Sequence, residues 1–146
     1  MMNPSNRKKL IKVNNTNSFL KKIAIYKRHL SKAKIIAVTG SSGKTTVKTL
    51  LGEMLKVFGS TYYSPKSFNN HYGVPLSLSN LNPHHRFGIF EIGMSKSGEI
   101  DKLSKLVKPD LAVITNIAEA HIENFSNIKG IANAKSEIIK NIKNNG

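Results

Sequence analysis

The fold of this 146-residue chain is decided by the stretch Ile35-Ile36-Ala37-Val38-Thr39-Gly40-Ser41-Ser42-Gly43-Lys44-Thr45-Thr46. Its apolar, β-branched half predicts a buried strand over Lys34–Thr39. The Gly-Ser turn and the Lys-Thr pair predict that a helix over about residues 45–58 follows. Glycines let backbone N–H groups approach oxyanions, and the helix adds the positive end of its dipole. The stretch therefore predicts a phosphate-binding loop.

This loop is expected to supply both a cation and a metal ligand. Lys44 is predicted to place its charge on the outer phosphates, and the Thr45 hydroxyl to ligate a Mg²⁺ bound to them. The spacing T-G-x-x-G-K-T-T differs from the usual G-x-x-x-x-G-K-[ST], because Val38 stands where the first glycine would be. The alternative is an ordinary Gly/Ser turn followed by a solvated lysine. The other predicted nucleotide contacts of the loop are Gly40, Ser41, Ser42, Gly43 and Thr46.

Composition is typical of a single globular domain with a basic surface. A length of 146 residues fits one domain, and no apolar run approaches the roughly 20 residues of a membrane span. The first residues lack the apolar core of a signal peptide. The absence of cysteine excludes disulfides and thiolate metal sites, and it suits a reducing cytoplasm. The net charge of +15 is compatible with a nucleic-acid partner, but the lysines are dispersed, so only non-specific, salt-sensitive binding is expected.

Strand and helix patterns alternate along the chain. Beyond the first strand, short apolar runs predict strands over residues 61–63, 87–92 and 111–115. Helical periodicity and capping signals predict helices over residues 18–31, 45–58, 74–81, 98–107 and 127–142. This alternation predicts a doubly wound, mostly parallel α/β sheet.

Polar groups follow three of these strands, at the edge where such sheets bind ligands. The phosphate loop follows the first strand, Glu91 lies at the end of the third, and Asn116, Glu119 and His121 follow the fourth. A carboxylate is costly to bury unpaired, so Glu91 is predicted to bind Mg²⁺; the alternative is a salt bridge to a lysine. His121 is a candidate second metal ligand, and the alternative is a solvated loop histidine. The loop histidines without ligand spacing are expected at the surface: His71, His84 and His85.

Four segments resemble the Mur ligases of peptidoglycan synthesis, most closely the MurF type. Residues 39–46 are similar to the family's T-G-[ST]-[SN]-G-K-T-[TS], and residues 68–76 to its N-N-x-x-G-[VL]-P. Residues 90–100 resemble E-[LM]-G-x-x-x-x-G-E-I, and residues 115–138 resemble N-[IV]-x-x-[AS]-H followed by A-K-x-E-I. The phosphate loop alone also resembles that of folylpolyglutamate synthase.

The resemblance implies an ATP-dependent amide ligase. The γ-phosphoryl group of ATP would pass to the terminal carboxylate of UDP-MurNAc-tripeptide. The amine of D-Ala-D-Ala would then attack the acyl phosphate and release phosphate. The family's metal chemistry implies one or two Mg²⁺ ions, held by Thr45, Glu91 and His121.

The resemblance also implies roles for single residues. Lys44, His121 and Lys135 would be catalytic, and Asn116 would contact the nucleotide. Lys135 corresponds to a lysine that is carbamylated in several Mur ligases, which needs a neutral amine; the alternative is an ordinary helix-surface lysine. The residues implied to contact the substrate are Asn69 and Asn70.

The chain departs from the family in its length. Residues 1–32 are expected to be a basic leader and helix, a remnant of the linker from a missing N-terminal domain. Residues 33–146 are expected to be the central ATP-binding domain, truncated at its C-terminus. Such a fragment, a monomer in the bacterial cytoplasm, is not expected to complete ligation alone. The alternatives are another Mur ligase or folylpolyglutamate synthase, an inactive nucleotide-binding fragment, and a nucleic-acid binder.

Overall fold

Four strands form one sheet in which every neighbouring pair is parallel. A computed structural model describes residues 10–143, and the strand order is β2-β3-β1-β4. The strands are β1 (Lys34–Thr39), β2 (Thr61–Tyr63), β3 (Phe87–Glu91) and β4 (Leu111–Ile114). The strand that precedes the predicted phosphate loop therefore has neighbours on both sides, and the predicted parallel α/β sheet is confirmed.

Five α-helices alternate with the strands in the described part of the chain. They are α1 (Thr16–Leu30), α2 (Lys44–Lys56), α3 (Gly73–Ser79), α4 (Glu99–Val107) and α5 (Ile128–Ser136). Two 3₁₀ helices complete the structure, at Ile122–Asn124 and Glu137–Asn141. Within residues 10–143, no helix combines the length and the apolar content that crossing a bilayer requires.

The chain is helical over most of residues 127–142, as predicted, but the helix type changes within this stretch. The α-helix ends at Ser136, and a 3₁₀ helix takes the chain onward. The Glu137 carboxylate accepts hydrogen bonds from the backbone N–H groups of Gly98 and Asp101, at 2.8 and 3.1 Å. These bonds satisfy two backbone N–H groups at the start of α4, where such groups have no partner within the helix, and they draw residue 137 towards α4. A contact with a distant helix thus changes the helix type, which no local pattern indicates.

Alternate residues of β1 serve the two faces of the sheet. Ile35 and Ala37 belong to the main apolar core, together with residues of α1, α3, α4 and α5. Val38 is buried outside that cluster and pairs with Glu91 of β3. Helix α2 contacts this second face through Thr45 and Lys48, which both bind Glu91. Helices therefore cover both faces, as the doubly wound prediction requires.

Helix α1 is fixed to the sheet by a buried arginine. Arg28 is only 7% exposed, and its guanidinium donates to the carbonyl oxygens of Val107 and Lys108, both at 2.7 Å. These carbonyls lie at the C-terminus of α4, where a cation is favourable. The guanidinium also lies 3.9 Å from the Asp110 carboxylate. Residues 1–9 of the predicted leader lie outside the described residues, and the domain boundary at residue 32 stays a prediction.

We predict that Arg28→Ala lowers the free energy of unfolding by about 2–4 kcal/mol, because the buried Val107 carbonyl and the partly buried Lys108 carbonyl lose their charged donor. Urea denaturation at neutral pH measures this loss. The matched control is Lys22→Ala, which removes an exposed cation from the same helix and is expected to change stability by less than about 0.5 kcal/mol. Equal small effects in both variants would contradict the assigned role of Arg28.

Candidate nucleotide-binding site

The three predicted strand ends meet at one edge of the sheet. Strand β1 lies between β3 and β4, and their residues pair in parallel register. The loop over residues 40–43, the Glu91 side chain and the residues that follow β4 are therefore neighbours. The sequence placed polar groups at these three ends, but only the strand order brings them together.

Two glycines give the loop after β1 its shape. Gly43 has φ +74°, in the left-handed region, and forms the N-cap of α2. Gly40 has φ +147°, and a Cβ built on it would lie 1.8 Å from the Thr115 hydroxyl oxygen. A side chain at position 40 is excluded unless β4 moves. Because Gly43 provides no side-chain cap, the first-turn amides of α2 are left for an anion.

The segment after β4 holds this loop from one side. The Asn116 side-chain oxygen accepts from the backbone N–H groups of Ser41 and Ser42, at 3.1 and 2.9 Å. The Asn116 amide donates to the Ser42 hydroxyl at 2.6 Å, and the Thr115 hydroxyl donates to the Ser42 carbonyl at 2.6 Å. The Ser41 hydroxyl bonds to the backbone of Ala118. Asn116, predicted as a nucleotide contact, thus holds the loop itself and engages two of its N–H groups.

Lys44 lies across its own loop. Its ammonium donates to the carbonyl oxygens of Gly40 and Ser41, at 2.7 and 3.3 Å. The ammonium is therefore held above the turn by weak acceptors that a phosphate, a stronger and charged acceptor, can replace. Thr46 is exposed on the first turn of α2.

Glu91 is the centre of a buried polar cluster. It is 1% exposed, and its Oε2 accepts from the Thr45 hydroxyl at 2.8 Å, while Oε1 accepts from the Asn69 side-chain amide at 2.8 Å. The Lys48 ammonium, also 1% exposed, lies 3.4 Å from Oε2. The structure therefore places Glu91 both beside Thr45, as a metal site needs, and in a salt bridge with a lysine. Sequence reasoning missed Lys48, although it lies one helical turn after Lys44.

The Thr45 and Glu91 oxygens fit a Mg²⁺ bound to phosphates. Both are hard oxygen donors, and Mg²⁺ usually takes one or two protein oxygens and completes its shell with water and phosphate oxygens. Among the described residues, no three His, Asp or Glu side chains form a ready metal cage. His121 lines the same cleft, but it is 49% exposed and its Nδ1 lies 3.8 Å from Glu123.

Lys135 is buried, at 2% exposure, and lines the cleft with Lys44. Burial, with a smaller contribution from the charge of Lys44, lowers the pKa of Lys135 to about 8. A larger fraction of this amine than of an ordinary lysine is therefore neutral near neutral pH, although the ammonium form still predominates at pH 7. Lys135 lies inside the site, whereas an ordinary lysine of a helix surface would be exposed and charged.

A cleft of about 730 Å³ is lined by Lys44, His121 and Lys135, whereas Thr45, Glu91 and Asn116 do not line it. Predicted residues that line it include Asn69, Asn70 and His121. Sequence reasoning missed Lys21 and Ile25 of α1, and it placed the exposed His71 at the surface without assigning it to the cleft. The only carboxylate of the lining is that of Glu99, and hydrogen bonds from the backbone of Ser95 and Lys96 lower its pKa. The lysines of the lining form no ion pair within residues 10–143: Lys21, Lys44, Lys96, Lys102 and Lys135.

A family model described as the Mur ligase middle domain matches residues 38–146. The chain belongs to the Mur ligase family. The UDP-N-acetylmuramoyl-tripeptide–D-alanyl-D-alanine ligase of Rickettsia prowazekii (strain Madrid E) is 43% identical over 141 residues, covering 97% of this chain and 31% of that protein. The ligase of the same name from Bacillus subtilis (strain 168) is 40% identical over 99% of this chain and 32% of its own length.

Solved MurF structures share the fold of this Mur ligase chain. A MurF crystal structure from Acinetobacter baumannii matches with a TM-score of 0.86 and 40% identity, over 93% of this chain and 30% of that one. The MurF ligase of Thermotoga maritima, solved in complex with ADP, matches with a TM-score of 0.82 and 35% identity, over 97% of this chain and 33% of that one. The predicted resemblance to the MurF type is confirmed, and the chain spans about a third of the length of these relatives.

We predict that Asn116→Ala loosens the phosphate loop. The Ser42 N–H loses its side-chain acceptor at 2.9 Å, so its hydrogen exchange is expected to become roughly tenfold faster, whereas the Ser41 N–H keeps a bond to the backbone carbonyl of residue 116 at 3.1 Å. The matched control is Asn133→Ala, which truncates an exposed asparagine of α5. Equal exchange of the Ser42 N–H in the two variants would show that Asn116 does not hold the loop.

We predict that Lys135→Met raises the free energy of unfolding at pH 7, and that this gain over wild type shrinks as the pH rises. The pKa of Lys135 falls from an ordinary value of 10.5 to about 8 on folding, so below pH 8 the folded state holds a buried ammonium at a cost on the order of 3 kcal/mol. Between pH 8 and pH 10.5, Lys135 is protonated in the unfolded chain but mostly neutral in the folded chain. The free energy of unfolding of wild type therefore rises relative to that of the variant over this pH range.

Urea denaturation of wild type and Lys135→Met at pH 7 and pH 10 measures this difference. The control Lys129→Met replaces an exposed lysine of α5, and its stability difference from wild type is expected to be the same at both pH values. A pH-independent difference for Lys135→Met would mean that packing alone separates it from wild type.

Proposed function

We propose that this chain is the ATP-binding part of a ligase that adds D-Ala-D-Ala to UDP-MurNAc-tripeptide in peptidoglycan synthesis. The observation that carries the proposal is the meeting of Lys44, Thr45 and Glu91 at the carboxyl edge of the sheet, beside free first-turn amides of α2. The relatives are named for ligation of D-alanyl-D-alanine to UDP-N-acetylmuramoyl-tripeptide, and the Thermotoga maritima relative was solved with ADP.

The chemistry asks the protein for positioning and charge neutralisation more than for covalent participation. The first-turn amides of α2 and Lys44 bind the β- and γ-phosphates, and Thr45 and Glu91 hold a Mg²⁺, which supplies further positive charge to them. The γ-phosphoryl group passes to the substrate carboxylate and ADP leaves. The amine of D-Ala-D-Ala then attacks the acyl carbon, a proton leaves the amine, and phosphate departs.

The remaining side chains of the cleft serve the substrate end of this reaction. Asn69 and Asn70 lie on the loop between β2 and α3 and face the cleft, where their amides contact the substrate. His121, which lines the same cleft, would bind a second metal ion at the acyl phosphate. The neutral amine of Lys135 would add carbon dioxide and release a proton to form a carbamate, which the lowered pKa of this amine favours. The carbamate would supply a negative charge that could help to hold a metal ion.

The other functional hypotheses receive less support. Folylpolyglutamate synthase and other Mur ligases share the phosphate loop, but the relatives described above carry the name of the D-Ala-D-Ala-adding ligase. An inactive fragment fits the covered length, about a third of the relatives, but the phosphate loop, Glu91 and Lys135 keep a connected arrangement. We further propose that the chain is monomeric and works in the bacterial cytoplasm.

Calorimetric titration with Mg·ATP at about 0.15 M salt, where loose charge attraction is screened, tests the proposal. We predict that wild type binds, that Lys44→Ala binds about 10–100-fold more weakly because a charged donor to phosphate is lost, and that chelation of Mg²⁺ also weakens binding. The control Lys129→Ala removes one exposed positive charge from α5. Equal weakening in both lysine variants would mean that net charge alone attracts the nucleotide, and absence of binding by wild type would reject the proposal.

A further inference from the structure

Helix α2 carries a second lysine beneath the phosphate loop, and the proposed reaction does not use it. Lys48 lies one turn after Lys44 and is only 1% exposed, which places it among the largest fully buried side chains. Its ammonium lies 3.4 Å from Oε2 of Glu91 and donates a hydrogen bond to the carbonyl oxygen of Lys66. A buried ammonium is tolerated only when it is paired, so these two contacts explain its place.

The Lys66 carbonyl belongs to the loop over residues 64–72, which joins β2 to α3 and carries Asn69 and Asn70. This loop has little regular structure of its own, and Lys66 has φ +47°, in the left-handed region that non-glycine residues seldom adopt. Further contacts bind the loop to β3 and to the residues after it. The backbone N–H of Ser64 donates to Ile89 at 2.9 Å, and that of Gly93 donates to Asn69 at 2.8 Å.

Both sides of the Glu91 carboxylate are therefore tied to this loop. Oε1 accepts from the Asn69 amide, and Oε2 faces the same Lys48 ammonium that holds Lys66. The Thr45 hydroxyl donates to Oε2 from the first turn of α2. The buried Lys48 ammonium thus joins three parts of the site. They are helix α2, which begins at the phosphate loop and is called the phosphate helix, the Glu91 carboxylate, and the loop over residues 64–72, called the asparagine loop.

We propose that Lys48 is a positioning residue that couples nucleotide binding to the order of the asparagine loop. Its charge keeps Glu91 aligned with Thr45, and its second hydrogen bond holds residues 64–72 against the phosphate helix. An apolar side chain of the same length fills the space but makes neither contact. The coupling to nucleotide rests on the proposed function, whereas the order of the loop does not.

Lys48→Met and the control Lys129→Met test this role in the same 146-residue chain. The first readout is backbone hydrogen exchange without nucleotide, and we expect residues 64–72 to exchange at least tenfold faster in Lys48→Met than in the control. The second readout is the affinity for ADP with and without Mg²⁺. We expect the gain in affinity that Mg²⁺ gives to shrink by at least tenfold in Lys48→Met, with a smaller change in its absence.

The two readouts separate positioning from simple support of the fold. If Lys48→Met only lowers stability, while loop exchange and the Mg²⁺-dependent affinity match the control, the proposal is wrong. If Lys48→Met does not fold, Lys48→Gln replaces it; its amide carries no charge and lies one bond closer to the backbone than the ammonium, so it does not replace both contacts, and the same two losses are expected. If wild type binds no ADP, the proposed function fails, and the exchange of residues 64–72 still decides whether Lys48 orders the loop.

Discussion

The buried carboxylate of Glu91 is the constraint on which the rest of the site depends. A carboxylate that is 1% exposed must be paired and hydrogen-bonded, since leaving it alone in an apolar interior is far more costly than any single packing error. Its partners come from separate parts of the chain, because Thr45 and Lys48 lie on α2 and Asn69 lies on the loop before α3. The end of β3, the phosphate helix and the asparagine loop are therefore positioned together.

The opposite side of the phosphate loop is fixed in a similar way, but by neutral groups. Asn116 and Thr115 follow β4, and their side chains form hydrogen bonds with the backbone of Ser42. Gly40 has no side chain, so the Thr115 hydroxyl can approach the loop closely. The loop is thus held between a charged cluster at β3 and an amide-hydroxyl cluster at β4. A ligand that enters meets donors that are already oriented, so less conformational freedom is lost on binding.

Local chemistry explains which features the sequence predicts and which it does not. The strand before Gly40 and the helix after Lys44 follow from apolar runs, glycine and capping signals, and the structure has both. The strand order is a property of the whole sheet, so the positions of Glu91 and Asn116 on opposite sides of the phosphate loop could only be hypothesised. From the sequence alone, Lys48 would be predicted to face the solvent, because its partner Glu91 is 43 positions away and no nearby residue indicates that the two side chains pair.

The net charge of this chain is +15, and the positions of its acidic residues determine which basic side chains are left without an ion pair. Asp110 lies within 4.0 Å of three basic side chains around the start of β1, Glu137 binds the start of α4, and Glu91 is paired within the interior. These carboxylates are committed to the fold, so the lysines of the cleft are left without ion pairs among the described residues. A general nucleic-acid surface would need exposed cations arrayed along a face. Here the Lys44 ammonium lies on the phosphate loop inside the cleft rather than along an open face, an arrangement that suits a small polyanion.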